Sequence, residues 1–266
     1  MVELITLLRK QCVVKYKEKY DENWDDKELL NNIIELYCSY TNLTSLPQLP
    51  NCQTLWCNNN QLTSLPQLPN CTYLICDNNQ LTSLSQLNNC ISLYCYNNQL
   101  SNLPQLNNCK ELYCHNNQLI SLPQLNNCIN LNCSHNQLTS LPQLNNCNTL
   151  NCSNNQLTSL PQLNKCTYLD CSYNQLSSLP QLNNGAHLSC YNNQLPFEEL
   201  DKWKIVWKVR RLYLRIKYFR LWYKFMLHSK ANKKAELHLE LKWSPDLTFY
   251  KDSEEYRHWT SVYRKI

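Results

Sequence analysis

Glycine is almost absent. The chain has 266 residues and one glycine, Gly185, against an ordinary share of about 7%. Loops that cradle phosphate need several glycines for positive φ or close backbone approach. A Walker loop, a dinucleotide fingerprint and a kinase lid are therefore excluded, as are collagen-like and glycine–serine linker compositions. Long hydrophobic runs are also missing: no apolar stretch approaches the ~18 residues of a membrane-spanning helix. The opening MVELITLLRKQC carries Glu3 and no long apolar core, which argues against a secretory leader. Charged residues make up only 17% of the chain and hydrophobic residues 43%, a balance that favours folding over disorder. An intracellular, cytoplasmic protein is expected, one whose thiols stay reduced.

What is in excess is cysteine, 17 residues, and asparagine, and both recur with one period. Leu46-Pro47-Gln48-Leu49 returns as Leu65-Pro66-Gln67-Leu68 and again from Leu103, Leu122, Leu141, Leu160 and Leu179. Leu84-Ser85-Gln86-Leu87 is a copy without proline, and every step is 19 residues. Units of the form Leu-x-Cys-x-x-Asn-x-Leu begin at Leu36, Leu55, Leu74, Leu93, Leu112, Leu131, Leu150, Leu169 and Leu188, the first with Thr41 in the Asn place. Most have a further cysteine three residues upstream, from Cys52 to Cys166.

This pattern resembles the leucine-rich repeat, L-x-x-L-x-L-x-x-N/C-x-L, with cysteine at two leucine positions. The likeness covers about residues 33–196, and its short period and LPxL segment look like the bacterial-type members. The Asn-, Tyr- and Lys-rich composition is similar to that of repeat proteins of giant DNA viruses. The resemblance implies an α/β solenoid, its parallel sheet on the concave face and an extended, polyproline-like convex side. It also implies helical caps at both ends and a binding, effector-like role, in a host cell if so.

The residues support that fold independently. Leu-x-Cys alternates inward and outward as a short strand, so Leu55 and Cys57 point in and Trp56 points out. One unit cannot bury its apolar side alone, and stacking supplies the core. Nineteen residues leave too little chain for a return helix, and proline favours an extended return. The Asn column (Asn60, Asn79, Asn98, Asn117, Asn136, Asn155, Asn174, Asn193) falls at the turn leaving each strand, where amides satisfy backbone groups. Cysteines in two straight columns do not converge as zinc ligands must. Stacked Cβ atoms near ~4.8 Å exceed the favoured ~3.8 Å of a disulfide. They read as small core residues, so no metal and no cofactor is expected.

The outward positions are uneven. Between Leu and Cys they read Tyr37, Trp56, Ile75, Tyr94 and Tyr113, then Asn132, Asn151, Asp170 and Ser189. The position after Cys adds Asp77, Tyr96, His115 and Tyr191; the position before Leu adds Tyr73, Glu111 and Tyr168. Tyr37, Trp56, Ile75, Tyr94, Tyr96, Tyr113 and His115 are thus the candidate partner-binding residues, since exposed aromatic clusters mark contact sites. The alternative is that these rings only stabilise the sheet through cross-strand pairs. With two basic and three acidic residues in residues 36–195, charge does not define the ligand.

The ends differ from the array. Residues 1–35 read as an N-terminal helical cap, with Val2, Ile5, Leu8 and Cys12 at helical spacing and a second short helix opening at Asp25-Asp26-Lys27-Glu28. Residues 196–266 carry 17 of the 25 Lys and Arg. Residues 199–228 predict one long helix with two apolar stripes. Lys204, Lys208, Arg211 and Arg215 lie between them on one side, Lys217, Arg220 and Lys224 on the other. This basic segment is a cap, a membrane-surface element or a phosphate contact. No triad or ligand pair is present among the six His. Ubiquitin-ligase effectors of the bacterial type need a cysteine outside the repeats, and none follows Cys190. The expectation is a non-enzymatic scaffold for an unknown protein, with no small-molecule substrate. The alternative is an adaptor held to a membrane surface or nucleic acid by the basic helix.

Overall fold

The computed structural model describes residues 13–18, 25–183, 185–196 and 199–227, with Ile5 and Asn23 besides; in the last helix side chains are described for 201–221. The helical spacing from Val2 to Cys12 (Ile5 apart) and the alternation from Glu236 to Trp243 lie outside the described residues. The chain divides into two units, Met1–Glu199 and Leu200–Ile266.

The first unit is built on one ten-stranded sheet in sequence order. Its parallel strands are β2 (Ile33–Tyr37), β3 (Thr54–Trp56), β4 (Tyr73–Ile75), β5 (Ser92–Tyr94), β6 (Glu111–Tyr113), β7 (Asn130–Asn132), β8 (Thr149–Asn151), β9 (Tyr168–Asp170) and β10 (His187–Ser189). Strands β3 to β10 are each centred on the repeat leucine, β2 contains Leu36, and Leu36, Leu55, Leu74, Leu93 and Leu112 pair in strict succession. Leu-Pro-Gln-Leu returns the chain without a helix, as proline and the short period require.

The core is two kinds of column. Leucines such as Leu55, Leu62, Leu68 and Leu74 are fully buried, each worth about 1.5–3 kcal/mol. Between them run the cysteines, sixteen of which are buried and outside any disulfide. The upstream thiols also donate weakly to the carbonyl two residues on, Cys52 to Thr54 at 3.2 Å and Cys109 to Glu111 at 3.2 Å. Cysteine thus fits both as a small apolar filler and as a weak donor.

Turns are made without glycine. Among the described residues ten adopt positive φ and none is Gly; seven are Asn. Asn tolerates the left-handed region because its short side chain bonds locally. The others, Tyr40, His135 and Tyr173, occupy it with bulkier side chains at φ 59, 52 and 54°. Gly185 is not among these residues, and a Cβ there would meet nothing within 4 Å. Its conformational freedom is not what the fold uses.

The second Asn column stitches coil to coil. Asn136 Oδ1 accepts from Leu119 N at 2.9 Å, in the coil before. Its Nδ2 lies 3.1 Å from the carbonyls of Cys114, Cys133 and Ser134. Asn79, Asn98, Asn117, Asn155 and Asn174 repeat this pattern. Each amide thus closes its own turn, as its place at the strand exit implied, and bonds the preceding coil as well.

At the N-terminal edge the structure corrects a purely helical reading of residues 1–35. Strand β1 (Val13–Tyr16) pairs antiparallel with β2. Val13 and Val14 are β-branched and suit a strand, and Lys15 meets Glu35 across the pair at 2.7 Å. The added strand covers backbone groups that β2 would leave open. The expected short helix follows as α1 (Asp26–Asn32), with Asp25 and Glu28 forming a reciprocal capping box that satisfies two orphan N–H groups.

The second unit contains α2 (Leu200–Leu227). Trp203 and Trp207, one turn apart, place their rings 6.2 Å apart, and Lys204 pairs with Asp201 at 2.8 Å.

Candidate functional site

Parallel pairing converts a sequence column into a row of adjacent side chains. Tyr37, Trp56, Ile75, Tyr94 and Tyr113 stand on β2 to β6 as successive register partners. Tyr37 meets Trp56 edge-on at 4.9 Å, and Tyr94 stacks on Tyr113 at 4.7 Å. Ile75 interrupts the row with an aliphatic side chain. Tyr73, from the neighbouring outward column, bridges the gap, its ring 6.3 Å from Trp56 and 5.9 Å from Tyr94. Five rings therefore run without a break across five strands. Trp56 is the most open of them, 38% exposed.

Polar groups anchor this strip. Tyr94 and Ser92 donate to Glu111 Oε2, at 3.0 and 3.3 Å. Burial and then that bond push the Tyr94 hydroxyl well above the usual phenol range. Burial also raises the Tyr113 hydroxyl. At the other end Tyr37 donates to Glu35 at 2.9 Å. Bonds from Lys15 and Tyr37 hold the Glu35 carboxyl below its ordinary value.

A second cluster lies one column over. Tyr96 stacks on His115 at 4.4 Å. His115 Nδ1 is buried without a hydrogen-bond partner, and burial lowers its pKa, so the imidazole stays neutral more readily. Asp77 lies beneath Tyr96 in the same column, nearly inaccessible, and accepts from Asn78 at 2.6 Å. Its carboxyl is raised by burial, although bonds from Tyr96 and Asn78 oppose that.

Beyond β6 the face changes character. Asn132 and Asn151 turn their Oδ1 atoms back onto the backbone N–H and hydroxyl of Ser134 and Ser153. These polar groups are spent within the chain and present little for a ligand. Tyr168–His187 stack at 5.0 Å, and Tyr173 meets Tyr191 edge-on at 5.2 Å, a smaller aromatic group near the C-terminal end of the sheet.

Among the described residues no cluster of His, Cys, Asp or Glu is arranged to hold a metal ion. Burial raises the column thiols, Cys52 and Cys147 to about 12. That setting is opposite to the electropositive, exposed one a reactive thiolate needs.

On α2, Lys208, Arg211, Arg215, Lys217 and Arg220 are exposed and Lys204 partly so; Lys224 lies in the helix beyond the described side chains. Val209, Leu212, Ile216 and Phe219 are exposed as well. These four lie on one exposed side of the helix, while Trp203, Trp207, Leu214, Tyr218 and Leu221 on the other side are buried or half-buried. No helix among the described residues is long and apolar enough to cross a membrane.

The sequence matches no family model and no curated protein. Among solved structures it is similar to YopM, a leucine-rich effector protein from Yersinia pestis. That likeness has 36% identity and a TM-score of 0.55, and covers 61% of this chain and 50% of that one. YopM from Yersinia enterocolitica WA-314 is 36% identical, with a TM-score of 0.58, over 61% of this chain and 38% of that one. The first unit has the leucine-rich repeat fold. The chain spans half or less of the length of these two proteins. Within the leucine-rich repeat frame, the leucines, the two cysteine columns and the Asn column are structural. The strip from Tyr37 to Tyr113 is what the frame leaves over.

Proposed function

We propose that this leucine-rich repeat array is a non-enzymatic protein-interaction scaffold that grips a partner protein with the aromatic half of its concave sheet face. The observation that carries the reading is the unbroken run of rings from Tyr37 through Trp56, Tyr73 and Tyr94 to Tyr113. Tyr and Trp give large contact area at small entropic cost and dominate interface energetics. Similarity to a leucine-rich effector protein supports the class of activity.

Replacing Trp56, Tyr94 and Tyr113 together with serine is expected to abolish specific partner capture while the sheet stays folded, because outward positions do not hold the core. Affinity capture with mass spectrometry, beside circular dichroism, reads both. An unchanged set of captured proteins would rule the reading out.

A second reading places α2 against phosphate groups, favoured by its run of exposed Lys and Arg. Titration with duplex DNA then shows binding that weakens steeply with salt, and replacing Arg211, Arg215, Lys217 and Arg220 with Gln removes it. Salt-independent binding, or none, discards this reading.

A further inference from the structure

The five charged residues of the array are few, but the fold segregates them. Asp77, Glu111 and Asp170 all occupy the outward columns of the sheet, whereas Lys110 and Lys165 do not. Lys165 is turned to Asn146, 2.7 Å away, and Lys110 lies with Asn89, Asn108 and Asn127 beside the rungs. Positions before, between and after Leu and Cys contain no Lys or Arg from β2 to β10. At the first end, Glu35 is already matched by Lys15. Asp77 is closed over by burial and its bonds. Glu111 is different. Both of its hydrogen bonds fall on Oε2, from Tyr94 and Ser92, and among the described residues no cation pairs with it. Its other oxygen, Oε1, accepts nothing from the described protein groups. The rings of Tyr73, Tyr94 and Tyr113 stand around it, with Tyr94 and Tyr113 stacked at 4.7 Å.

An open carboxylate oxygen beside several π faces is complementary to one chemistry above others. A guanidinium or ammonium can bond the carboxylate and lie over a ring at once. An anionic segment would meet Glu111 and Asp170 with nothing to offset them. A purely apolar one would bury the carboxylate with its charge uncompensated, which is unfavourable. We infer that the aromatic strip receives a cationic segment of a partner protein, with an Arg or Lys side chain seated on Glu111 between Tyr73, Tyr94 and Tyr113. The inference rests on the scaffold reading above and specifies the partner's chemistry. It also changes what charge means here: five charged residues are too few to set a net field, but their placement selects a sign.

Fluorescence anisotropy of the full chain against labelled peptides of alternating Ala–Arg, Ala–Gln and Ala–Glu tests it. The Arg peptide binds, the Glu peptide does not, and the Gln peptide is weaker than the Arg peptide by roughly tenfold or more. Affinity for the Arg peptide falls as salt rises. Glu111→Gln keeps the shape and the bonds from Tyr94 and Ser92 but removes the charge, and it weakens the Arg peptide by roughly tenfold while leaving the Gln peptide unchanged. Tyr113→Leu also weakens the Arg peptide. Equal binding of Arg and Gln peptides, or indifference to Glu111→Gln, overturns the inference. If that happens while the Trp56/Tyr94/Tyr113 triple still loses its captured proteins, the scaffold reading stands and only the partner's charge was wrong. A concentration-dependent dimer that the Arg peptide dissolves assigns the site to α2 of a second copy, and overturns a separate partner.

Discussion

Raised through pH 9 in a reducing buffer, the repeat array is expected to lose its sheet within about one pH unit. The cause is the pair of thiol columns. Burial holds Cys52, Cys71, Cys109 and Cys147 at about 12, against an ordinary 9.0. It pushes up the fully buried thiols, such as Cys57, Cys76, Cys114 and Cys152, as well. Below pH 9 every thiol is neutral whether the chain is folded or not, so pH has no effect through them. Above it the unfolded chain ionises and the folded chain does not. The folded state then binds more protons, and stability falls as pH rises. Each thiol contributes about 1.4 kcal/mol per pH unit once the unfolded form is ionised. Ten of them remove about 14 kcal/mol, as much as a typical domain possesses. The raised hydroxyls of Tyr94, Tyr96 and Tyr113 act in the same direction near pH 10. Circular dichroism from pH 7 upward checks this, with recovery on return to pH 7 to exclude chemical damage. A sheet that survives to about pH 11 would refute the account.

Replacing Asn136 with alanine is expected to cost about 3–5 kcal/mol, far more than a surface asparagine. Its amide bonds Leu119 N and lies against three carbonyls, in two successive coils. Alanine leaves these groups buried without partners, and the asymmetry between a missing and a never-made hydrogen bond makes that expensive. Each coil touches only its neighbours, so the damage is local. The array then unfolds in two steps on either side of the sixth strand gap, where the unaltered chain shows one. Asn136→Asp keeps the acceptor for Leu119 but sets a carboxylate oxygen against those three carbonyls, so it is expected to cost at least as much as alanine. Denaturant titration reads the steps, and hydrogen exchange at the Leu119 amide reads the lost bond. A single transition shifted by less than about 1 kcal/mol would show that the column is ornamental.

Which parts of this were legible in the sequence follows from which depend on the period alone. Strand position, the inward Leu and Cys, and the turn amide all repeat every 19 residues, and one argument covers every coil; that the same amide also reaches the coil before is seen only in the structure. Tyr37, Trp56, Tyr94 and Tyr113 were readable as outward for the same reason. The continuity of the strip was not. It depends on the Tyr73 ring leaning diagonally across to fill the place of Ile75, and diagonal contacts between columns are set by side-chain rotamers. The openness of Glu111 depends on which of its oxygens Tyr94 and Ser92 choose, a matter of geometry that no spacing encodes. Strand β1 escaped because VVKY is four residues long and carries no repeat signature; only pairing with β2 makes it a strand. The left-handed turns at His135 and Tyr173 are visible only as places where the column departs from Asn.

The bridging amide also bears on how such an array changes length. Every bond from an asparagine of this column reaches its own coil or the one before, never further. In these amide bonds every interface between coils is thus equivalent to the next. Removing or duplicating one 19-residue cassette leaves all remaining joints as they were. Unequal recombination between near-identical segments therefore gives foldable products at once. The leucines and asparagines make the array extensible; the rings and carboxylates, being different in each coil, record which cassettes were kept.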